Sequence, residues 1–316
     1  MSARERATTS ARGRTWRERS YLVRLWRLWV TRNPRTFTEK VRYKMLRDHR
    51  RLMVTFADKA AVRAYVTAAV GAEHLPQLYF LLDDPQALGD ISIPAACVIK
   101  PTHGSGVAII VSETAPADSR LPGVDGSWVY RHIRPSNVDI DQLVALGSAW
   151  TAQLYGQGPN REWAYGHVPR RILIEELLLG PDRGVPDDYK FFVFHGVCQY
   201  IQLDRGRLGS RTQDFFTRSW THLPLHGGHP WSEPTPAPPE RLPEMIELAQ
   251  RLGTGTDFVR VDLYLLRDRL RSERPGRRDI VVGELTSYPA GGDSPFDPPS
   301  FDLEFGRHWT VPRRYR

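Results

Sequence analysis

The chain of 316 residues has few cysteines, and its apolar stretches are short. Cys97 and Cys198 both fall in predicted strands without Cys-x-x-Cys spacing, so neither a disulfide framework nor a zinc site is indicated. A reducing, cytoplasmic location is expected. The apolar stretch at 21–30 contains Arg24 and Arg27, which makes it too short and too charged to cross a membrane.

Lysine is also scarce, because only five of the 44 basic residues are lysines. After residue 51 the chain contains just Lys59, Lys100 and Lys190. A lysine ammonium is a compact charge that suits phosphate oxygens, whereas arginine presents a planar fork. Lysines in this arginine-rich background indicate a specific role, although chance placement would look the same.

Positive charge is concentrated at the N-terminus. Residues 1–51 hold 16 Lys+Arg and 4 Asp+Glu (+12), and the rest holds 28 and 32 (−4). Such a distribution argues against nucleic-acid binding by the globular part. The first 32 residues are predicted to be a basic arm, partly disordered or helical. One helical face of the arm would either pack on its own domain or lie on an anionic membrane surface; it carries Leu22, Trp26, Trp29 and Val30.

Two apolar runs, 95–100 and 107–112, predict a hairpin joined by Pro-Thr-His-Gly-Ser-Gly. Free N–H groups in such a connection can approach an anion, although an ordinary hairpin turn has the same pattern and the Walker spacing is absent. Further strands are predicted at 75–83 and 170–180, and a hairpin around His195-Gly196. Residues 204–239 show no sustained period and predict a long loop, either a lid or disordered.

The segment 257–292 predicts two strands with a polar connection. Arg260, Asp262 and Tyr264 alternate with valines and leucine, and a second apolar run spans 280–285. Asp262 and Glu284 would be acidic groups on neighbouring strands, and paired carboxylates suit Mg²⁺. A solvated strand face, or an ion pair with Arg260, explains the same pattern.

Seven segments in order resemble the TupA-like branch of the ATP-grasp superfamily, from about Asn33 to about Pro312: NPRTFTEKV, FADKAAVRAYV, CVIKPTHGSG, REWAYGHVPRRILIEE, DDYKFFVFHG, FVRVDLY and GELTSYPAGG. The resemblance implies an α+β ATP-grasp fold in which two α+β subdomains hold ATP between them. It places a helical and α/β region at 33–94 and a first subdomain with the Gly-rich phosphate loop at 95–180. The second subdomain, at 181–316, would carry the metal site and the long loop 204–239.

The resemblance also implies roles for individual residues. The phosphates of ATP would be covered by Lys100 and the loop, with further charge from Lys59 or Lys190; the loop residues are His103, Gly104, Ser105 and Gly106. The hinge meeting adenine would be Glu175, Glu176 and Leu178, with Asp188 at the ribose. Mg²⁺ would be held by Asp262 and Glu284, with Thr286 where many ATP-grasp enzymes have asparagine.

The function implied is an ATP-dependent carboxylate–amine ligase, an amidoligase acting through an acyl phosphate in cell-surface polysaccharide or peptide-conjugate biosynthesis. Arg260 and Lys100 would be catalytic, and no Ser-His-Asp or Cys-His constellation competes. The partners would be small-molecule or glycan carboxylates and amines. A phosphotransferase and a non-catalytic nucleotide-binding scaffold are the alternatives. Further candidate substrate contacts are Tyr130, Arg131, Arg161, Trp163 and Tyr288.

Overall fold

The computed structural model describes residues 32–156, 162–180, 184–207, 209–266 and 279–315. The predicted basic arm lies outside these ranges up to residue 31, and so does Arg161. Within these ranges, no helix has both the length and the apolar content that crossing a membrane requires.

The described residues form six α-helices: α1 Phe37–Arg47, α2 Arg51–Ala57, α3 Ala61–Val70, α4 Ile140–Ala152, α5 Leu242–Leu252 and α6 Ser300–Arg307. A capping box starts α1, because Thr36 Oγ1 accepts from the Glu39 N–H (3.2 Å) and the Glu39 carboxylate accepts from the Thr36 N–H (3.1 Å). Gly71 ends α3 at φ +108°. Ala60 is the N-cap of α3, and Asp58 accepts the Ala60 N–H (2.8 Å).

Ten strands form two five-stranded sheets: β1 Leu78–Leu82, β2 Cys97–Pro101, β3 Ala108–Val111, β4 Tyr130–Ile133, β5 Ile172–Glu176, β6 Asp188–Phe194, β7 Val197–Arg205, β8 Thr212–Thr217, β9 Phe258–Leu265 and β10 Ile280–Thr286. The first sheet has the order β1-β5-β2-β3-β4, and its only parallel pair among the described strands is β3–β4. The second sheet, β10-β9-β6-β7-β8, is antiparallel throughout. The mixed α+β class and the predicted hairpins are confirmed, whereas the predicted subdomain boundaries stay predictions.

The first sheet has one apolar face and one face toward a cavity. Cys97 and Ile99 are fully buried in a cluster with Leu143, Leu146 and Trp150 of α4. Their neighbours in β2, including Lys100, line the cavity instead. Because successive residues of a strand point to opposite faces, apolar packing against α4 orients Lys100 toward the cavity.

The second sheet packs its apolar face against α1, α5 and α6. Phe37, at the start of α1, is fully buried and lies 5.1–6.1 Å, between ring centroids, from six aromatic side chains: Phe192, Phe194, Phe258, Phe296, Phe305 and Trp309. Edge-on contacts of this kind add to the free energy of burial. The opposite face carries Asp188, Lys190 and Asp262 toward the same cavity.

The prediction of a structureless loop over 204–239 is wrong, because β8 lies within it and pairs with β7. Asp214 in β8 is fully buried, and its carboxylate accepts from the Ser232 N–H (3.1 Å) and contacts His222 Nε2 (3.0 Å). Gln213 donates to Asp204 Oδ1 (2.9 Å). These inward polar residues remove the alternation by which a strand is recognised in sequence.

Candidate functional site

A cavity of about 480 Å³, here the first cavity, lies between the two sheets and has the size of a small-molecule site. It brings together residues that are far apart in sequence but are predicted to form one site for ATP and Mg²⁺. The predicted site residues that line it are Lys59, Lys100, Ser105, Gly106, Glu175, Glu176, Leu178, Asp188, Lys190, Arg260, Asp262 and Glu284.

Three predicted site residues do not line the first cavity. His103 is 1% exposed; its Nε2 contacts the Gln153 carbonyl (3.1 Å), and burial lowers its pKa. The Gly104 carbonyl accepts a hydrogen bond from Lys59. A Cβ at Gly104 (φ +78°) would lie 2.6 Å from the Trp128 side chain. Thr286 lines a neighbouring cavity. His103 and Gly104 therefore shape the loop rather than the cavity wall.

Two lysines approach the cavity from the side of the first sheet. Lys59 donates to the Gly104 carbonyl and so fixes the Gly-rich connection between β2 and β3. Burial lowers the pKa of Lys59 to about 8. Lys100 pairs with Glu175 (2.5 Å) of the adjacent strand, which holds both side chains at the cavity wall.

A β-bulge at Gly283 determines how the two predicted metal carboxylates meet. Val282 pairs with Leu263 and Glu284 with Asp262, so Gly283 is an extra residue in β10. Strict alternation from the core residue Val282 would turn Glu284 into the core. The bulge instead sets Glu284 directly opposite Asp262, where both line the first cavity.

Asp262 lies in a buried network of charges. Its carboxylate accepts from Arg260 through Nε and Nη2 (2.7 Å each) and from Lys190 Nζ (3.0 Å). Burial acts to raise the pKa of Asp262, but the two cations hold it below its ordinary value. No hydrogen bond or ion pair within the described ranges engages the Glu284 carboxylate, which leaves it able to take a cation.

Asp188 also lines the first cavity, where Lys190 links it to Asp262. Lys190 and Arg207 donate to Asp188 Oδ2, whereas its buried Oδ1 has no hydrogen-bond partner among the residues described. The Arg207 guanidinium also lies 5.8 Å from the ring centroid of Tyr130, on the first sheet. Arg207 thus contacts both sheets; it was missed because it lies in the segment interpreted as a loop.

A second cavity, of about 380 Å³, adjoins the first and shares Ser105, Arg260 and Glu284 with it. Its remaining lining residues are Tyr155, Glu162, Tyr165, Thr286, Tyr288, Ala290 and Gly291. Of the candidate substrate contacts, Tyr288 lies here and Tyr130 in the first cavity, whereas Arg131 and Trp163 line neither. Tyr155, Glu162 and Tyr165 carry no motif of their own, so only the folded chain brings them to the site.

Two α+β units with a cavity between them, lined by lysines and by paired carboxylates, have the architecture of ATP-grasp proteins. The family model described as TupA-like ATPgrasp matches residues 146–310, just over half of the chain. The chain therefore belongs to the TupA-like ATP-grasp family. The predicted family and fold class are confirmed.

Solved structures similar to this chain include the ATP-grasp ligase PsnB complexed with a minimal precursor (13% identity, TM-score 0.37, 75% of this chain and 53% of PsnB covered). D-Alanine-D-alanine ligase from Helicobacter pylori is also similar (12%, 0.39, 81% and 62%), as is L-amino acid ligase from Bacillus licheniformis (12%, 0.36, 75% and 44%). This chain spans about half of the length of PsnB. No curated protein is a significant match.

Proposed function

We propose that this protein is an ATP-dependent carboxylate–amine ligase. The observation that carries the proposal is the pairing of Asp262 with Glu284 in the first cavity, whose other wall holds Lys100 and the Ser105-Gly106 connection. Phosphoryl transfer needs positioning and charge neutralisation more than a nucleophilic side chain. Lysines, backbone N–H groups and a carboxylate pair around one cavity meet that need.

The first cavity offers apolar residues for the base of ATP and polar residues for its ribose and phosphates. Val98, Ile110 and Leu178 offer apolar walls for the base. The unpartnered Asp188 Oδ1 is a buried acceptor that a ribose hydroxyl would satisfy. Lys59 and Lys100 lie beside the Gly-rich connection, where they would bind the phosphates.

The donor set at the floor of the cavity suits Mg²⁺. Asp262 and Glu284 are adjacent carboxylates, and Thr286 follows on β10 with one neutral oxygen. Bound there, Mg²⁺ would neutralise charge on the phosphates. The Thr286 hydroxyl accepts from Arg260 Nη2 (3.2 Å), which makes it the weakest of the three proposed ligands.

Arg260 links the two cavities and is proposed to act at the reacting centre. Burial acts to lower its pKa, but Asp262 raises it above the ordinary value, so the guanidinium stays charged. In a ligase, the carboxylate of the acid takes the γ-phosphoryl group of ATP and ADP leaves; the neutral amine then attacks the acyl carbon, phosphate leaves and the nitrogen loses a proton. Arg260 would stabilise the oxyanion formed in that attack.

Product analysis tests the proposal directly. A panel of carboxylic acids and amines, including amino acids and uronic acids, is incubated with the full chain, ATP and Mg²⁺, and ADP release is followed. We expect one acid–amine pair to release ADP and phosphate and to give an amide by mass spectrometry. A phosphorylated product would establish a phosphotransferase instead, and nucleotide binding without turnover across the panel would establish a scaffold. An amide made from a uronic acid or glycan would support the role in cell-surface biosynthesis.

The pKa of Lys59 predicts how nucleotide binding depends on pH. Since burial lowers this pKa to about 8, the free protein loses the ammonium charge as the pH rises through that value. Binding of ADP with Mg²⁺ then requires proton uptake, so the affinity should fall by up to about tenfold per pH unit above pH 8. Calorimetry between pH 7 and 9.5 measures this. Lys59→Arg, which stays charged, should flatten the profile; an unchanged slope would show that another group titrates.

A further inference from the structure

The second cavity contains more negative than positive side-chain charge. Glu162 and Glu284 are its two carboxylates, and Arg260 is its one cation among the lining residues. The Arg260 guanidinium is already held by Asp262 through two hydrogen bonds of 2.7 Å. A negatively charged occupant would therefore meet two carboxylates, whereas a cation would be attracted.

Glu162 is a partly buried carboxylate on the wall of the second cavity. No hydrogen bond or ion pair to its carboxylate is present in the described part of the chain, and burial together with Glu284 raises its pKa to about 7. Tyr288, another lining residue, is 4% exposed and its hydroxyl has no hydrogen-bond partner in the described ranges. Buried polar groups normally have partners, so the Tyr288 hydroxyl points to a ligand, and the half-buried Glu162 carboxylate is open to one.

Aromatic rings form the wall beside Glu162. The ring centroids of Tyr155 and Tyr165 are 4.8 Å apart in an edge-to-face arrangement, and both residues line the cavity. An ammonium group is attracted to the face of a tyrosine ring as well as to a carboxylate. The two rings come from separate elements, because Tyr155 follows α4 and Tyr165 lies in the 3₁₀-helix Trp163–His167.

We propose that the second cavity binds the amine substrate in its ammonium form, with Glu162 as the anchoring carboxylate and Tyr155 and Tyr165 as the aromatic walls. The ammonium group would pass one proton to the Glu162 carboxylate before the nitrogen attacks. That the occupant is a substrate rests on the proposed ligase function, whereas the preference of the cavity for an ammonium ion does not. The cavity volume of about 380 Å³ limits the bound group to a small amine or to the end of a larger one.

The proposed metal site would change this charge arrangement at Glu284 but not at Glu162. When Asp262 and Glu284 hold Mg²⁺, the charge of Glu284 is offset, while that of Glu162 is not. Arg260 then has less of its charge neutralised by Asp262 and is available to the acyl group. The two substrates would consequently meet opposite charges, the acid at Arg260 and the amine at Glu162.

Two probes of equal size test the proposal: n-butylammonium and 1-butanol. Their binding to the full chain, with and without ADP and Mg²⁺, is measured by ligand-observed NMR. Butylammonium should bind at least about tenfold more tightly than butanol. Glu162→Gln should abolish that preference without changing butanol binding, and Glu162→Asp should restore part of it. Glu247→Gln, at an exposed glutamate of α5, is the matched control and should change nothing.

The outcomes separate this proposal from the proposed ligase function. Equal weakening of butylammonium and butanol by Glu162→Gln would indicate a structural role and overturn the proposal. Absence of butylammonium binding to the unaltered protein would overturn it as well. Failure of ADP and Mg²⁺ to bind, with the ammonium preference intact, would count against the ATP-dependent reaction alone.

Discussion

ATP turnover by a Glu284→Gln variant is expected to fall at least about a hundredfold, because charge neutralisation by a bound metal contributes several kcal/mol to phosphoryl transfer. The thermal midpoint should stay within about 2 °C of the original value, since the Glu284 carboxylate has no partner among the described residues. Loss of activity without loss of stability would separate metal binding from folding. ADP release with the identified acid and amine measures the activity, and calorimetry measures the thermal midpoint.

Asp262→Asn serves as the comparison. It should also lose activity, but it leaves Arg260 and Lys190 buried with one carboxylate fewer and should be destabilised by several kcal/mol. Mn²⁺ binding in the presence of ADP, followed by electron paramagnetic resonance, reports the metal site without reference to turnover. Unchanged Mn²⁺ affinity in both variants would contradict the assignment of these carboxylates.

The Asp257→Ala variant is expected to lose about 3–5 kcal/mol of unfolding free energy, because it leaves a buried ammonium without one of its carboxylates. Asp257 accepts from Lys44, which is fully buried, from Trp309 Nε1 (2.9 Å) and from the Tyr315 hydroxyl (2.8 Å). Of the carboxylates that the structure describes, Asp48 (2.9 Å) is then the one that Lys44 retains. A single carboxylate thus connects α1, the start of β9 and the C-terminal segment.

Asp293→Ala provides the matched control for this prediction. Asp293 pairs with Arg42 at 2.5 Å, but their side chains are 52% and 25% exposed, so solvent screens the pair. Its removal should cost less than about 1 kcal/mol. Urea unfolding of both variants measures the difference. Similar losses in the two would show that burial of Lys44 does not set the stability of this region.

Sequence patterns predicted the strands whose residues alternate between core and cavity. In β2 and β9, apolar residues at every second position locate the core, so the positions of Lys100 and Asp262 follow from strand geometry. The order of the seven segments then indicated the family, which the match to residues 146–310 confirms. The roles of the individual site residues stay predictions.

Two features could not be predicted because they depend on tertiary contacts. The strand β8 buries Gln213 and Asp214 next to two buried phenylalanines, so its buried residues do not alternate. Gln213 donates to Asp204, and Asp214 accepts from the Ser232 N–H, both outside the strand. The second cavity assembles Ser105, Glu162 and Glu284 from separate segments. Spacing along the chain carries no signal for either arrangement.

Gly283 in β10 limits how the site can change by mutation. A Cβ at Gly283 would lie 2.6 Å from the ring of Tyr264, which lines the first cavity, and the next residue is Glu284. Tyr264, in the wall of the proposed nucleotide site, and Glu284, the proposed metal ligand, therefore both depend on the absence of a side chain at position 283. Any larger residue there would disturb both at once, so nucleotide affinity and metal affinity could not be tuned independently at this position.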